Sequence, residues 1–591
     1  MQRYSGRRVD LLLRKLLIGV AVAAIGVSVA ASAATGRSRP QSISSSVLLP
    51  GVTYTREVDF TSRGPIVLDV VTAPKPDGKL YSLAPALSNS QLRGTESLTR
   101  LQSRVAGNAT TVAIDGDYFD RTSGAPSGIL MQDGVLGSPP GTRRSSLGIA
   151  ADGTLTTDRV SFGGIWQGGG QRRALLLNTP AKSGKFSLYT PVYGTVTPRE
   201  SGVLEAVIGT FPAAELDTPL DGNVTQVTTA GPTRIPPGGA VLVARGAESI
   251  AQLTAEAPVG QQVEAMLSLS PDWSNRASAI GGGPLIVKNG KPIFQTGESF
   301  ASGQLNGRQA RGAIGQLADG RIVLVAVEGT KPSYSIGMSN YELAVELSRL
   351  GATTAFGLGA GSAAGLAFDG KLLTRPPNGI TPKVSDALVL SYSGVYAAPP
   401  STGVLSPNGD GADDAESFAY RVARPSHVVA TLDGPGGAEV TLADAPQSPG
   451  PYALVWNGTV GGSPAPEGRW TFTVRGIDDR GVATSAQRTF SLDDTLSSLA
   501  VTLGRHGVPT ASFQLTRAAT VLVQIQRPNG VSVATLRSGQ RAAGPEQVTW
   551  QGKIGRHLAP GGRYQVAVQA TSSVGASSLA APFSWRAHKR H

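Results

Sequence analysis

Asp115-Gly116-Asp117 closes the apolar run Thr110 to Ile114 and sets two carboxyl groups one residue apart. If the strand continues through them, both side chains project to the same side, where each raises the other's pKa and the two make an acid/base pair. The plainer alternative is a polar turn from strand to loop. Against it, three acids (Asp120 included) beside Tyr118 and Phe119 are costly in a packed domain unless solvated or used. Arg311 offers a planar guanidinium, suited either to a bidentate grip on the oxygens of a phosphodiester or to a surface ion pair. Gly281, Gly282 and Gly283 present successive backbone N–H groups that can cradle a phosphate or sugar oxygen. Glu342 follows Ser339 by three residues, so it is either an acid of the site or the far half of a helix capping box. The run Ala355 to Gly370, AFGLGAGSAAGLAFDG, lets backbone approach a ligand closely at little steric cost.

Other residue types narrow the chemistry. The chain has Cys 0, and its five histidines, His427, His506, His557, His588 and His591, all lie beyond residue 400. Residues 51–399 therefore hold no Ser-His-Asp triad, no Cys-His pair and no His-rich zinc site. A hydrolase there must work with carboxylates, Arg, Lys, Tyr, hydroxyls and backbone donors, which paired-carboxylate glycoside chemistry does. No cofactor requirement is visible. In Ser406 to Asp414 side-chain oxygens alternate, with Asn408, Asp410 and Asp414 as candidate ligands of a structural calcium; the other reading is an ordinary turn.

The elements that must position these groups are mainly short β-branched runs separated by Asp133-Gly134, Asp152-Gly153, Asn289-Gly290, Asp319-Gly320 and Asp369-Gly370, each a hairpin signal. Two helices stand out. One covers about 96–106, with Leu98, Leu101 and Val105 on one face and Gly107 as its stop; the other covers about 340–350, with Leu343, Leu347 and Leu350 inward. Both lead into apolar strands whose C-terminal loops carry the candidate chemistry, so the expected layout of 51–399 is α+β.

At 591 residues the chain needs several cores, and Gly 75 and Pro 40 with 16% charged residues indicate a turn-rich globular protein. Residues 1–34 read as an export signal: Arg3, Arg7, Arg8, Arg14 and Lys15 precede an apolar run, and Ala31-Ser32-Ala33 supplies a cleavage site. Asp10 sits badly with a twin-arginine signal, which favours the general secretory route. No other transmembrane span is expected. Residues 35–50 are Ser-rich and read as a flexible lead-in. The net charge is +12; removing five basic residues and Asp10 of the signal takes away +4 and leaves +8. Such a charge suits anionic cell-wall polymers, and the absence of basic runs interleaved with aromatics argues against nucleic acid.

Ordered motifs along residues 51–399 resemble the phosphodiester glycosidases. Ala113 to Phe119 resembles the family's A-I-N-G-x-F-F, with Asp115 in place of Asn. Gly281-Gly282-Gly283-Pro284-Leu285 matches G-G-G-P-x-L, and Arg311 to Gly315 resembles R-T-A-I-G. Val325 to Gly329 stands where the family has V-V-D-G-R, with Glu328 for Asp and Thr330 for Arg, and Ser335 to Ala344 resembles S-x-G-x-[ST]-x-x-E-L-A, placing Glu342 on the family's acid. The glycine-rich run resembles N-L-D-G-G-G-S-S-T-M, but the Asp is Gly359; Arg375-Pro376 resembles N-R-P-S. The resemblance implies substrate contacts from Gly281 to Gly283, Arg311, Gly361, Ser362 and Arg375, and acid/base roles among Asp115, Asp117, Glu328 and Glu342.

From residue 400 the pattern turns all-β and repeats. Trp456-Asn457-Gly458 returns as Trp550-Gln551-Gly552 and Arg469 as Arg563, each 94 residues on. A repeat of this length is a whole domain, here a β-sandwich. Its W-[DN]-G and P-x-G-x-Y patterns resemble the immunoglobulin-like modules of the flagellar-hook cap type. The expected order is thus a signal at 1–34, the glycosidase-like domain at 51–399, sandwiches at 400–494 and 495–586, and a basic tail at 587–591. The function expected is that of a secreted, cell-wall-associated hydrolase of sugar-1-phosphate diesters in envelope glycans. The alternative is a degenerate relative that binds a glycan or teichoic acid without cleaving it.

Overall fold

The Asp-Gly and Asn-Gly turns fold as hairpins. Asp133, Asn289 and Asp369 adopt φ of 49°, 51° and 45°, and the glycines after them 81°, 74° and 77°. This left-handed pair is what a tight two-residue turn requires. The computed structural model describes residues 42–587 apart from 295, 377, 410, 505 and 506. The export signal, His506, Asp410 and the tail from residue 588 lie outside the described residues.

The α+β expectation is overturned: the structure is mostly β, 52% strand and 8% helix, with four α-helices among the described residues. The reason is where the helices lie. An eight-stranded sheet is ordered Ser42–Leu49, Val52–Thr61, Gly64–Ala73, Ile322–Val327, Arg311–Leu317, Ala352–Ala360, Leu285–Lys288, Lys291–Pro292. A five-stranded sheet, Lys371–Leu372, Leu366–Phe368, Thr110–Asp115, Asp386–Tyr392, Tyr81–Leu87, shares a core with it. Between them Val71, Ile314, Leu324 and Phe356 from the first meet Val112, Ile114, Leu388 and Leu390 from the second. Each such side chain, fully buried, contributes roughly 1.5–3 kcal/mol. The helices cover outer faces. Asn340–Arg349 buries Leu343 and Leu347 against Val325 and Val327, and Leu98–Ala106 buries Leu98 and Leu101 against Ala113 and Val389. Both are short, so the domain is a β-sandwich dressed with helices.

Two further differences concern the edges. Residues 42–49, expected as part of a flexible lead-in, form an edge strand paired antiparallel from Ser42↔Val58 to Leu49↔Val52, anchored by buried Leu48 and Leu49. Strand Tyr396–Ala397 pairs with Arg421 and Tyr420, so the first sandwich already begins before residue 400. Residues 161–270 form a closed seven-stranded barrel with its own core of Trp166, Phe186, Leu242 and Leu267, and helix Ala247–Glu256 adds Leu253 to that core. The repeat beyond it is structural. Trp456 Nε1 donates to Thr459 O at 2.8 Å and Trp550 Nε1 to Lys553 O at 2.9 Å; Trp470 Nε1 donates to Pro466 O at 2.9 Å and the Tyr564 hydroxyl to Pro560 O at 2.8 Å. Each unit has two main sheets on one apolar core and a small two-stranded ribbon beside them.

Candidate functional site

The inner face between the two sheets is apolar except at one end, where the acids collect. Asp115 ends its strand, and the strand does not continue to Asp117. Instead Asp386 draws the chain aside: Gly116 N donates to Asp386 O at 3.1 Å, and Asp117 N to Asp386 Oδ1 at 2.7 Å. The expected same-side pairing of Asp115 with Asp117 is thereby corrected. Each goes its own way, and Asp386 is the group that interacts with both.

Each of these three buried acids is seated against glycine. A Cβ on Gly312 would lie 2.5 Å from Asp115 Oδ1, and one on Gly359 2.6 Å from Asp115 Oδ2. A Cβ on Gly281 would overlap Asp117 Oδ2, and one on Gly116 would overlap Asp386 Oδ1. Asp115 Oδ1 accepts from Gly365 N at 2.9 Å, and Asp117 Oδ2 from Gly128 N at 2.6 Å. Asp115 Oδ2, Asp117 Oδ1 and Asp386 Oδ2 are buried without a partner. Burial therefore raises all three carboxyls: Asp115 well above the carboxylate range, Asp117 to about 7, and Asp386 to about 8, with the charge on Asp117 adding to the last. At the rim the Arg144 guanidinium lies 4.3 Å from the ring centre of Phe300 and 5.6 Å from that of Tyr118.

A second acid group shares this face. Asp69 pairs across the sheet with Ala326, and Ala326 with Gly312, so Asp69 and the carboxyl resting on Gly312 share one face two strands apart, about 10 Å. Asp69 Oδ1 accepts from the Tyr54 hydroxyl at 2.6 Å and from Arg56 Nη1 at 3.2 Å. Glu328 Oε1 accepts from Arg56 Nη2 at 3.0 Å and from Arg375 N at 2.8 Å. Burial and then Glu328 push Asp69 up to about 8. Above this pair stand Tyr334 and two arginines: the guanidinium of exposed Arg375 lies 5.2 Å from the Tyr334 ring centre and that of Arg56 5.9 Å.

Other expected residues have structural duties. Arg311 lies on the opposite face from Asp115, and its expected role as a phosphate clamp is corrected. Nε donates to Met338 O at 2.7 Å, Nη1 to Asn340 Oδ1 at 2.8 Å, and Nη2 to Gln304 O and Gly307 O, both at 2.7 Å. Glu342 closes the capping box: Ser339 N donates to its Oε2 at 2.8 Å, and Arg308 pairs with Oε1. Burial opposes ionisation there, but Ser339 and Arg308 outweigh it and hold Glu342 below the usual range, which leaves no proton to give at neutral pH. The Gly281–Gly283 cradle is mostly spent, since Gly281 N donates to Ile129 O at 2.7 Å and Gly283 N to Gly357 O at 2.8 Å. Gly361 N donates to Ala310 O at 2.9 Å, whereas Ser362 is exposed on the turn that follows. In the first sandwich both oxygens of Asp414 take backbone N–H groups, Gly409 N and Gly411 N at 2.7 Å, and Asn408 Nδ2 donates to Ser406 Oγ at 3.2 Å, the geometry of a closed turn. No metal-suited group of side chains occurs among the described residues.

Asp386, Asp69, Arg56 and Tyr334 join the site with no motif to mark them. The acids had a legible signal: Asp386 opens the apolar strand DALVLSY and Asp69 interrupts GPIVLDVVTA. An acid in such a run is costly unless paired or used.

Comparison with known proteins locates two families in the chain. Residues 215–391 match the family described as phosphodiester glycosidase, and residues 500–573 match the FlgD Ig-like domain. The first match begins downstream of Asp69 and Asp115. A curated relative, the SPbeta prophage-derived uncharacterized protein YomE of Bacillus subtilis, is 33% identical over 107 residues, which are 18% of this chain and 16% of that protein. A hypothetical protein from Synechocystis is 26% identical with a TM-score of 0.49, over 58% of this chain and 62% of that one. The zebrafish N-acetylglucosamine-1-phosphodiester alpha-N-acetylglucosaminidase catalytic domain, auto-inhibited by its pro-peptide, is 12% identical with a TM-score of 0.32, over 59% of this chain and 87% of that one.

Proposed function

We propose, from the premise that residues 215–391 belong to the phosphodiester glycosidase family and residues 500–573 to the FlgD Ig-like one, that this protein hydrolyses glycosyl phosphodiesters of envelope glycans outside the cell. One observation carries the reading. The Asp115 carboxyl resting on Gly312 and the arginine-capped pair of Asp69 and Glu328 occupy the same inner face at positions two strands, about 10 Å, apart, the span of a sugar and its phosphate.

In this reading Arg56 and Arg375 hold the phosphate, and Tyr118 and Phe300 with Arg144 border the sugar. Water attacks the anomeric carbon as the bond from that carbon to the phosphate oxygen breaks. Environments that push neighbouring acids apart separate their roles. Asp115 retains its proton and serves as acid toward the departing oxygen. Asp117, titrating near neutrality, takes the proton of the attacking water. The phosphate monoester leaves with its charge against the arginines.

The +8 charge and Ser-rich exported start favour an anionic polymer at the cell surface, with the sandwiches as spacers or attachments. The depth of Asp115, 1% exposed, favours a second reading, a binding protein without turnover. Incubating the purified full-length chain with a glycosyl phosphodiester separates the two. Release of free sugar above buffer, lost on Asp117→Asn, supports hydrolysis. No release with retained polymer binding overturns it.

A further inference from the structure

Gly312 and Gly359 both have backbones open to any residue, since neither has a positive φ. What excludes a side chain at either position is the carboxyl of Asp115. A Cβ on Gly312 would stand 2.5 Å and 2.7 Å from its two oxygens, and a Cβ on Gly359 2.6 Å from Oδ2. Real Cβ atoms do not approach so closely, and here the obstacle cannot swing away. Asp115 is a short side chain, 1% exposed, tied by Oδ1 to Gly365 N at 2.9 Å; its own N–H donates to Gly365 O at 3.2 Å. At the near end of the loop Gly359 N donates to Gly116 O at 2.7 Å. Residues 115 and 116 therefore bind both ends of the 359–365 loop, and Oδ2 sits unpartnered at its base.

We infer that positions 115 and 359 serve a single carboxylate slot, filled in this chain by Asp115 from the five-stranded sheet, and that Asp115 thereby supplies the acid that the glycine-rich loop lacks. The inference rests on the hydrolytic reading for the use of that acid, but not for the existence of the slot. Gly359 is then the room an acid needs when it arrives from the facing strand. Burial supports the assignment, because Asp115 keeps its proton in the slot.

The test is a set of full-length variants: Gly359→Asp, Asp115→Ala, the double Asp115→Ala/Gly359→Asp, and Gly312→Ala with and without Asp115→Ala. Thermal unfolding between pH 5 and 8 and turnover of a glycosyl phosphodiester are read on each. Gly359→Asp and Gly312→Ala are expected to lower the melting temperature in the presence of Asp115 and to cost less in its absence, a coupling that needs no activity. Asp115→Ala is expected to lose at least a hundredfold in turnover, and the double variant to regain at least tenfold over it. Additive melting shifts overturn the slot. Coupled shifts without recovery of turnover overturn the assignment of Asp115 as its acid. A wild type that melts as expected yet never turns over rejects the hydrolytic reading, and the use of the acid with it, while the coupling still decides the slot. If Gly359→Asp does not fold, the Gly312→Ala pair decides the coupling.

Discussion

Asp69 and Glu328 each retain one buried carboxyl oxygen without a hydrogen-bond partner, Oδ2 and Oε2, while Arg56 bonds to both residues. Burial and then the neighbouring Glu328 raise Asp69 to about 8, so Asp69 keeps its proton at neutral pH. The folded protein thus holds a proton that the unfolded chain, with an ordinary carboxyl near 3.8, releases. The stability this supplies is full below about pH 4 and is lost as pH rises toward 8, by at most about 1.4 kcal/mol per pH unit. Melting temperatures should fall from pH 5 to pH 8. Asp69→Asn places a permanent donor where the proton sits, so it should flatten that fall and raise the melting temperature at pH 8. A variant with the slope of wild type rejects the proton held on Asp69.

Arg311 and Glu342 hold the fold together rather than react. Arg311→Lys removes most of four hydrogen bonds from a guanidinium only 2% exposed. The expected cost is about 3 kcal/mol in unfolding free energy by urea titration. Glu342→Gln keeps a capping acceptor and loses only the half-buried Arg308 pair, so it should cost about 0.5–1 kcal/mol and leave turnover unchanged. A large fall in turnover without loss of stability would return Glu342 to the chemistry.

Local rules explain what was legible in the sequence. Asn-Gly and Asp-Gly turns, the Ser339–Glu342 capping box and the 94-residue repeat are set by near neighbours, and each has its structural counterpart. Long-range register was not legible. Nothing near Asp115 says that Gly312 and Gly359 lie over its carboxyl, and nothing near Arg311 says that it faces the carbonyls of Gln304 and Gly307. The fold class is hidden from the sequence for the same reason. The helices are visible in the apolar periodicity, but only sheet pairing reveals that they cover a two-sheet sandwich.

The first sandwich meets the preceding domain through Arg421, which donates to Thr110 Oγ1 at 3.3 Å and pairs with Asp369 at 3.2 Å. Both partners of the ion pair are about a third exposed, so its own share is at most about 1 kcal/mol. Ending the chain at Pro399 removes more, because Tyr396–Ala397 loses its strand partners and buried Tyr396 is uncovered. Calorimetry should show Arg421→Ala melting slightly earlier than wild type and the chain ended at 399 several degrees earlier. Equal melting of the truncated and full chains would show that the sandwich adds nothing to the stability of residues 42–399.

Gly281→Ala tests whether the glycine triplet serves Asp117 or a ligand. Gly281 lacks a positive φ, so alanine meets no backbone penalty, yet its Cβ would overlap Asp117 Oδ2 and lie 2.9 Å from Gly128 Cα. Asp117 cannot yield easily, being held by Gly128 N at 2.6 Å and walled in by Asp386. The expected cost is about 1–3 kcal/mol, as for other small-to-large changes in a packed core. If the methyl instead displaces Asp117, the carboxyl that titrates near 7 loses its place, and the acidic limb of the turnover profile, which a general base sets, should shift. Paired measurements of unfolding and pH-dependent turnover on Gly281→Ala and Asp117→Asn check this. A Gly281→Ala protein that melts like wild type and merely binds substrate less tightly, with an unchanged pH profile, would restore the triplet as a ligand cradle.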